Sequence, residues 1–297
     1  MISIVITSFN EPKTIGKAIE SFLIQDIKDK FELYVAAPDE ETLNIARQFQ
    51  KKNKSKNIKL FKDPGKGKSH ALNLILQKLK GDIFIFTDGD VYVSDNSVNE
   101  IIEKFKDKKV GCVSGRVVSQ NNRNNLYGYW SHLLCYAAHK LREKRNLKDE
   151  FLECSGYLWA FKKGIIKRFP VHIAEDTIVP IFFWLNCYKI KYASNALVFV
   201  KFPVNLEDFL KQKIRAAASH GTIFRYVNPN KIPRMKSLKN EILESCHLFN
   251  YPRNIKEFIY TFQLFPIRLY IWLNLYFNQK IRNKYYTDAW KRAESTK

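Results

Sequence analysis

The sequence predicts an α/β protein built on an open sheet of parallel strands with helices on both faces. Two observations carry this expectation. Short apolar runs alternate with amphipathic stretches through the first half of the chain, which is the pattern of βαβ units. Polar and charged residues gather directly after those runs, at the strand ends beyond which open sheets bind their ligands. A third observation, an aromatic-rich basic stretch in the last third, predicts a helical extension behind the sheet.

In chain order, Ile2–Thr7 reads as a buried strand, followed by a turn and a helix from about Lys13 to Leu23 with apolar residues at helical spacing. Phe31–Ala37 reads as a strand and Glu40–Lys51 as a helix. Ile58–Phe61, Ser69–Leu79 and Asp82–Thr87 continue as strand, helix and strand. The second half is less regular. Val110–Val118 reads as a strand, Tyr127–Arg145 as a long helix and Tyr157–Phe161 as a strand. A helix beginning near Asp176, a strand near Ala196–Val200 and a helix carrying Gln212 and Arg215 follow, before Pro229 and Pro233 mark a break.

Phe258–Phe277 has the length of a membrane span but contains Thr261, Gln263, Pro266, Arg268 and Asn274. A central Arg alone costs about 2.5–3.5 kcal/mol on an insertion scale. Eight of the twenty residues are aromatic, and Arg253, Lys256, Lys280, Arg282 and Lys284 flank them. A helix lying in the membrane interface fits better than a span; a helix packed on the main domain is the other reading.

The 297 residues are 45% hydrophobic and 14% aromatic, enough for a filled core, which excludes global disorder. Lys and Arg number 50 against 29 Asp and Glu, a net charge of +21. This suits nucleic acid, an anionic bilayer or diphosphates. Eighteen basic and seven acidic residues fall between Lys201 and Lys297, beside the aromatic stretch, which favours a membrane surface. Zinc-ligand spacings and RNP-like aromatic-basic runs are missing, so no nucleic-acid partner is expected. The five cysteines include no CxxC pair, which argues for a reducing compartment and against a disulfide framework. Met1–Ile6 runs into an apolar strand and does not read as a secretory signal.

The chemistry centres on Asp88-Gly89-Asp90, at the end of the apolar run Ile83–Phe86. Two carboxylates one residue apart at a strand end can grip a hard cation such as Mn²⁺ or Mg²⁺, which also bridges phosphates. Lys66-Gly67-Lys68-Ser69 is a basic glycine loop entering a helix, and helix N-terminal amides with lysines suit diphosphate oxygens. Thr7-Ser8-Phe9-Asn10-Glu11 and Asp39 supply polar groups at two adjacent strand ends, where a nucleoside would lie. Glu175 and Asp176 open a helix, and a carboxylate there can take a proton from a hydroxyl within hydrogen-bond reach. Gln212 and Arg215 share a helix face.

Taken singly, each motif also reads as a turn, cap or surface pair. Their order resembles the family 2 inverting glycosyltransferases, which include cellulose, chitin and hyaluronan synthases and related bacterial and archaeal sugar transferases. The likeness runs from Ser3 to about Arg215, through Ser8-Phe9-Asn10-Glu11, Gly65-Lys66-Gly67-Lys68…Asn73, Asp88-Gly89-Asp90, Ser155-Gly156…Ala160-Phe161-Lys162-Lys163, Glu175-Asp176 and Gln212-Lys213-Ile214-Arg215. The resemblance implies a GT-A (Rossmann-like) nucleotide-sugar-binding sheet over residues 1–221; residues 222–297 are expected to form a basic, aromatic-rich helical region whose composition suits a membrane surface.

It also implies roles. Ser8, Asn10, Glu11 and Asp39 would face the nucleoside, and Lys66 and Lys68 the diphosphate. Asp88 would lie near the ribose and Asp90 would hold the metal. Asp176 would be the general base beside Glu175, and Gln212 and Arg215 would line the diphosphate and acceptor region. The implied donor is a nucleotide diphosphate-sugar, with UDP-sugars the commonest in the family. The implied acceptor is a glycan or lipid-linked hydroxyl, reached from the cytoplasmic face of a membrane. A polyprenyl-phosphate sugar synthase using GDP-mannose or UDP-glucose is the alternative.

Two positions depart from the family pattern. Ala216 stands where a Trp usually follows the Arg, and Ala36-Ala37-Pro38-Asp39 replaces the usual small-acidic-Ser run. The first weakens a processive reading and the second weakens the carry-over to Asp39.

Overall fold

The computed structural model describes residues 1–228, 232–233, 241, 245–281 and 294–296. Eight strands form one sheet in the order β3-β2-β1-β4-β7-β6-β8-β5. The strands are β1 (Ile2–Thr7), β2 (Phe31–Ala37), β3 (Ile58–Lys62), β4 (Ile83–Asp88), β5 (Tyr92–Val93), β6 (Val110–Ser119), β7 (Leu158–Lys162) and β8 (Lys189–Val200). The helices that position the site are α1 (Ile15–Leu23), α2 (Glu40–Lys52), α3 (Lys68–Leu76), α4 (Ser97–Lys104), α5 (Leu126–Leu147), α6 (Glu175–Leu185), α7 (Leu206–His220) and α8 (Ile255–Tyr276).

The first four strands in space are parallel, as expected: β1 pairs with β2 and β4, and β2 with β3. In β1, Ile2, Ile4 and Ile6 pack into one apolar layer with Ile15, Ile19 and Phe22 of α1. Val5 faces the other layer with Leu72 and Ile75 of α3. Burial on both faces is why the strand reads as an unbroken apolar run.

The less regular second half departs from the parallel pattern. β7 runs antiparallel to both β4 and β6, and β5 antiparallel to β8; β6 and β8 are parallel to each other. Strand direction depends on where the connections cross, which an apolar run does not record. No element is expected between Asp90 and Val110, where the chain forms β5 and α4; a two-residue strand has no alternation to show. β8 begins seven residues before the expected Ala196, because one of its ends alternates with polar residues instead of running apolar.

Gly221 caps the C-terminus of α7. The chain beyond it folds back onto the main body. Leu264, Ile271 and Leu275 of α8 share a buried cluster with Tyr129, Trp130 and Leu133 of α5 and Phe209 of α7. Arg123, just before α5, holds Glu257 with Nε 2.7 Å from Oε1 and Nη2 2.8 Å from Oε2, and its Nη1 donates to Tyr251 Oη at 2.8 Å. Tyr129 Oη and Thr261 Oγ1 lie 2.6 Å apart in the same contact.

One face of α8 is therefore packed on the domain. The other leaves Phe258, Ile259, Phe262, Leu269, Tyr270, Leu273 and Tyr276 exposed. Arg268 is paired with Glu241, whose Oε2 also accepts Trp272 Nε1 at 2.8 Å. No helix among the described residues is long and apolar enough to cross a membrane. The side chain of Lys280, and Pro229, Arg282 and Lys284, lie outside the described residues.

Candidate active site

The expected polar residues sit at the C-terminal ends of β1, β2, β3 and β4 and at the N-termini of α3 and α6. Register places Thr7 beside Asp88, and Thr7 Oγ1 donates to Asp88 Oδ1 at 3.2 Å. Gly89 N donates to Thr7 O at 2.8 Å. A Cβ at Gly89 would lie 2.5 Å from both Ser8 Oγ and Glu11 Oε2, so the acidic turn can press on β1 only with glycine there. Ser8 Oγ donates to Glu11 Oε2 at 2.6 Å.

Lys68 is the hub. Its Nζ lies 2.8 Å from Asp88 Oδ1 and 2.7 Å from Glu175 Oε1, with the side chain 18% exposed. Burial works to discharge this ammonium, but the two carboxylates outweigh it and hold Lys68 protonated well above the usual lysine range. The loop that delivers it needs positive φ at Gly65 (67°) and Gly67 (103°), conformations that glycine adopts without strain.

Two cavities meet at this point. The larger, about 630 Å³, is lined by Ser8, Phe9, Glu11, Lys66, Lys68, Asp88 and Asp90 among others. The smaller, about 280 Å³, is lined by Lys68, Asp88, Asp90, Glu175, Asp176, Gln212 and Arg215 among others. Lys68, Asp88 and Asp90 belong to both. Asp176, far away in sequence, thus shares a cleft with the acidic pair, as the motif order requires. Gly156 lies beneath it: a Cβ there would be 3.1 Å from Asp176 Oδ2. Pro180 stands inside α6, four residues after Asp176.

Asn10 and Asp39 line neither cavity. Asp39 caps α2, with Oδ1 accepting Thr42 N at 2.8 Å and Oδ2 accepting Asn10 N at 2.9 Å. Burial works against its charge, and these amide donors outweigh it to lower the pKa. Asn10 adopts φ 55°, a conformation Asn tolerates. Both residues shape the wall behind the larger cavity.

Sequence reasoning missed Tyr157 and Asp63. Tyr157 lines the smaller cavity and its Oη accepts Gln212 Nε2 at 3.4 Å. Burial pushes its phenol up, so it stays neutral. Gln212 Oε1 is buried with no hydrogen-bond partner, an arrangement that leaves an acceptor available to a ligand hydroxyl. Asp63 follows β3 as Asp88 ends β4, so the strand-end rule could have found it. His132 and His139 are structural: His132 Nε2 contacts Asn121 O at 2.8 Å and His139 Nδ1 contacts Tyr192 Oη at 3.0 Å.

No group of three or more His, Cys, Asp or Glu able to hold a metal occurs among the described residues. The acidic turn still fits a divalent cation whose remaining ligands are substrate oxygens and water, the usual Mg²⁺ arrangement. Asp88 Oδ1 also serves Thr7 and Lys68, and Asp90 lines both cavities beside it.

A sheet of this order, an acidic turn after β4 and a carboxylate opening a helix across the cleft belong to a GT-A glycosyltransferase. The family model described as glycosyl transferase family 2 matches residues 3–169, more than half of the chain, so the chain belongs to that family. It is 25% identical over 237 residues to a poly-beta-1,6-N-acetyl-D-glucosamine synthase of Staphylococcus epidermidis, covering 75% of this chain and 56% of that synthase. It is 26% identical over 163 residues to a hyaluronan synthase of Streptococcus pyogenes, covering 50% of this chain and 39% of the synthase. The chain thus spans about half the length, or less, of these curated relatives.

Among solved structures it resembles the mannosyltransferase PcManGT from Pyrobaculum calidifontis, in complex with GDP-Man and Mn²⁺. The TM-score is 0.59 at 16% identity, over 88% of this chain and 72% of that one. It also resembles residues 1–349 of S. aureus TarS, with a TM-score of 0.52 at 18% identity over 95% of this chain and 75% of that one. At these identities the likeness concerns the fold.

Proposed function

We propose that this enzyme moves a sugar from a nucleotide diphosphate-sugar, a UDP-sugar in the first instance, to a hydroxyl of a glycan or lipid-linked acceptor, with inversion at the anomeric carbon. One observation carries the reading: Asp176 shares a cleft with Asp88 and Asp90 while Lys68 joins the two sides. The nucleoside would occupy the larger cavity and the acceptor the smaller. Lys66, Lys68 and the amides opening α3 would meet the diphosphate, and Gln212 and Arg215 would flank it from α7.

Asp176 would accept the acceptor's hydroxyl proton as that oxygen attacks the anomeric carbon. The bond from this carbon to the phosphate oxygen breaks with its electron pair going to the departing nucleoside diphosphate. A single displacement inverts the centre. A divalent cation held by Asp90 and Asp88 would supply Lewis-acid stabilisation of that leaving group. The bound Mn²⁺ of the Pyrobaculum neighbour supports the cation, and its GDP-Man keeps a guanosine donor in view. A TarS structure of TM-score 0.52 contains UDP.

The exposed aromatic face of α8 supports a peripheral seat on an anionic bilayer at the cytoplasmic side, since such side chains settle at the headgroup level. That face also favours the lipid-linked class of acceptor, including a polyprenyl phosphate. A panel of nucleotide-sugars with Mn²⁺ or Mg²⁺, scored for release of nucleoside diphosphate, tests the assignment. Absence of release from every donor, with the glycan and polyprenyl phosphate acceptors supplied, would refute it.

A further inference from the structure

The larger cavity has two chemically different ends. Lys68 and Asp88, joined at 2.8 Å, mark one together with Asp90, where charge gathers for the diphosphate. Asp63 marks the other, at the end of β3. In the sheet β3 and β4 are separated by β2 and β1, three inter-strand spacings of about 4.8 Å each. A nucleotide with its phosphates at the Asp88 end therefore extends its base toward Asp63.

The walls there suit a flat ring. Ala36, Pro38 and Val171 line the cavity, and Phe9 lines it while 48% exposed. β2 contributes Ala36 to this wall; Asp39 lies close enough to act on the Asp63 charge, as does His70 of the lining, but does not itself line the cavity and has both oxygens on backbone amides. Asp63 is 8% exposed, and its Oδ1 accepts Gly65 N at 2.7 Å. Its Oδ2 has no hydrogen-bond donor among the described residues. A fixed carboxylate with one oxygen engaged offers a single directional acceptor.

Building on the nucleotide-sugar reading above, we propose that Asp63 is the residue that reads the base. Its Oδ2 accepts the ring N–H that uracil presents at N3 and guanine at N1. Cytosine N3 and adenine N1 carry a lone pair at the corresponding place, which an ionised carboxylate repels. The selectivity sits on β3 in this chain, not at the end of β2.

The test is binding of UDP, GDP, CDP and ADP with Mn²⁺ to the full chain by calorimetry, for the wild type and for Asp63→Asn and Asp63→Ser. The wild type should bind UDP or GDP at least about tenfold tighter than CDP and ADP, the order of a hydrogen bond to a charged group. Comparison of the UDP and GDP arms identifies which base is the natural one. Asp63→Asn, which keeps an acceptor for Gly65 N and gains an amide donor, should erase most of that ratio or favour CDP. Asp63→Ser should erase the ratio without favouring CDP.

A wild type that prefers CDP or ADP overturns the proposal without any variant. Variants that fold and retain the wild-type ratio overturn it as well. A wild type that binds none of the four nucleotides sinks the nucleotide-sugar reading itself, an outcome separate from binding without base preference.

Discussion

The Lys68 ammonium lies 2.7 Å from the Glu175 carboxylate, and each of these residues is the first of its helix, α3 and α6. Two helix N-termini are thereby drawn to one cleft, where their unpaired amides and dipoles favour anions. A Lys68→Met variant removes the shared cation and leaves Asp88 and Glu175 facing one another. Donor affinity should fall by at least about tenfold, as expected for loss of a charge-assisted contact. Titration with the nucleotide alone checks this, and unchanged affinity would show that the ammonium serves folding only.

Asp176→Asn keeps the shape over Gly156 but cannot take a proton. The turnover rate should drop by about 10²–10⁴-fold, the usual contribution of general base catalysis, while donor binding stays near wild type. Transfer rates and nucleotide binding measured on the same preparation separate the two effects. Wild-type transfer by the variant would place the base elsewhere.

Asp90→Ala should abolish both activity and the response to a divalent cation. In the wild type, a chelator should remove activity and added Mn²⁺ or Mg²⁺ should restore it. A variant that stays active and still loses that activity to the chelator, as the wild type does, would contradict the assignment of the cation to this turn.

Below the catalytic end of the sheet, Glu32 accepts Ser3 Oγ at 2.6 Å, Lys59 Nζ at 2.7 Å and Lys80 N at 2.8 Å. Burial works to raise its pKa, and these donors outweigh it, holding it below the ordinary 4.5. Stability from this group is complete above pH 4.5 and is lost as pH falls through the lower folded value. Thermal melts between pH 7 and pH 3 should show Glu32→Gln less stable than wild type at neutral pH, with the gap narrowing in acid. A gap that widens in acid would reverse the sign.

Arg123→Ala cuts the bidentate clasp on Glu257 and the bond to Tyr251. It should destabilise the chain by about 2 kcal/mol, as for charged hydrogen bonds of partial burial, and expose the inner face of α8. Differential scanning calorimetry with limited proteolysis around Asn254 reads both effects.

Tyr270→Ser combined with Leu273→Ser changes exposed residues of the outer face that join no buried cluster. Flotation with vesicles containing anionic lipid should fall several-fold while the melting temperature holds. Equal flotation would detach the aromatic face from membrane contact.

Much of the sheet's parallel half was readable because its strands are buried on both faces and are punctuated by polar ends. Ile2–Thr7 and Phe31–Ala37 fall where the apolar runs place them. β7 was located, but its antiparallel direction was not, since direction belongs to the path of the connection and not to residue type. Asp88, Asp90, Glu175 and Asp176, which line one cleft, stood out in the sequence because paired acidic residues at a strand end and at a helix start interrupt the apolar pattern. Asp39 looked like a ligand because capping and ligand binding select the same side chain; only its two amide partners distinguish them. Tyr157 escaped notice, as an aromatic beside an apolar strand resembles core until its hydroxyl is seen against Gln212.

Pro180 gives the base-bearing turn a mechanical property of its own. Having no amide hydrogen, it returns no bond to the carbonyl of Asp176, so the first turn of α6 is laced to the remainder by one rung fewer. Ile181 and Phe183 are seated in the core beyond that gap, so any tilt of α6 would fall on the turn that carries Asp176. On the proposed role of Asp176, tolerance toward the incoming alcohol would reside in this helix, and an alanine at 180 would narrow it.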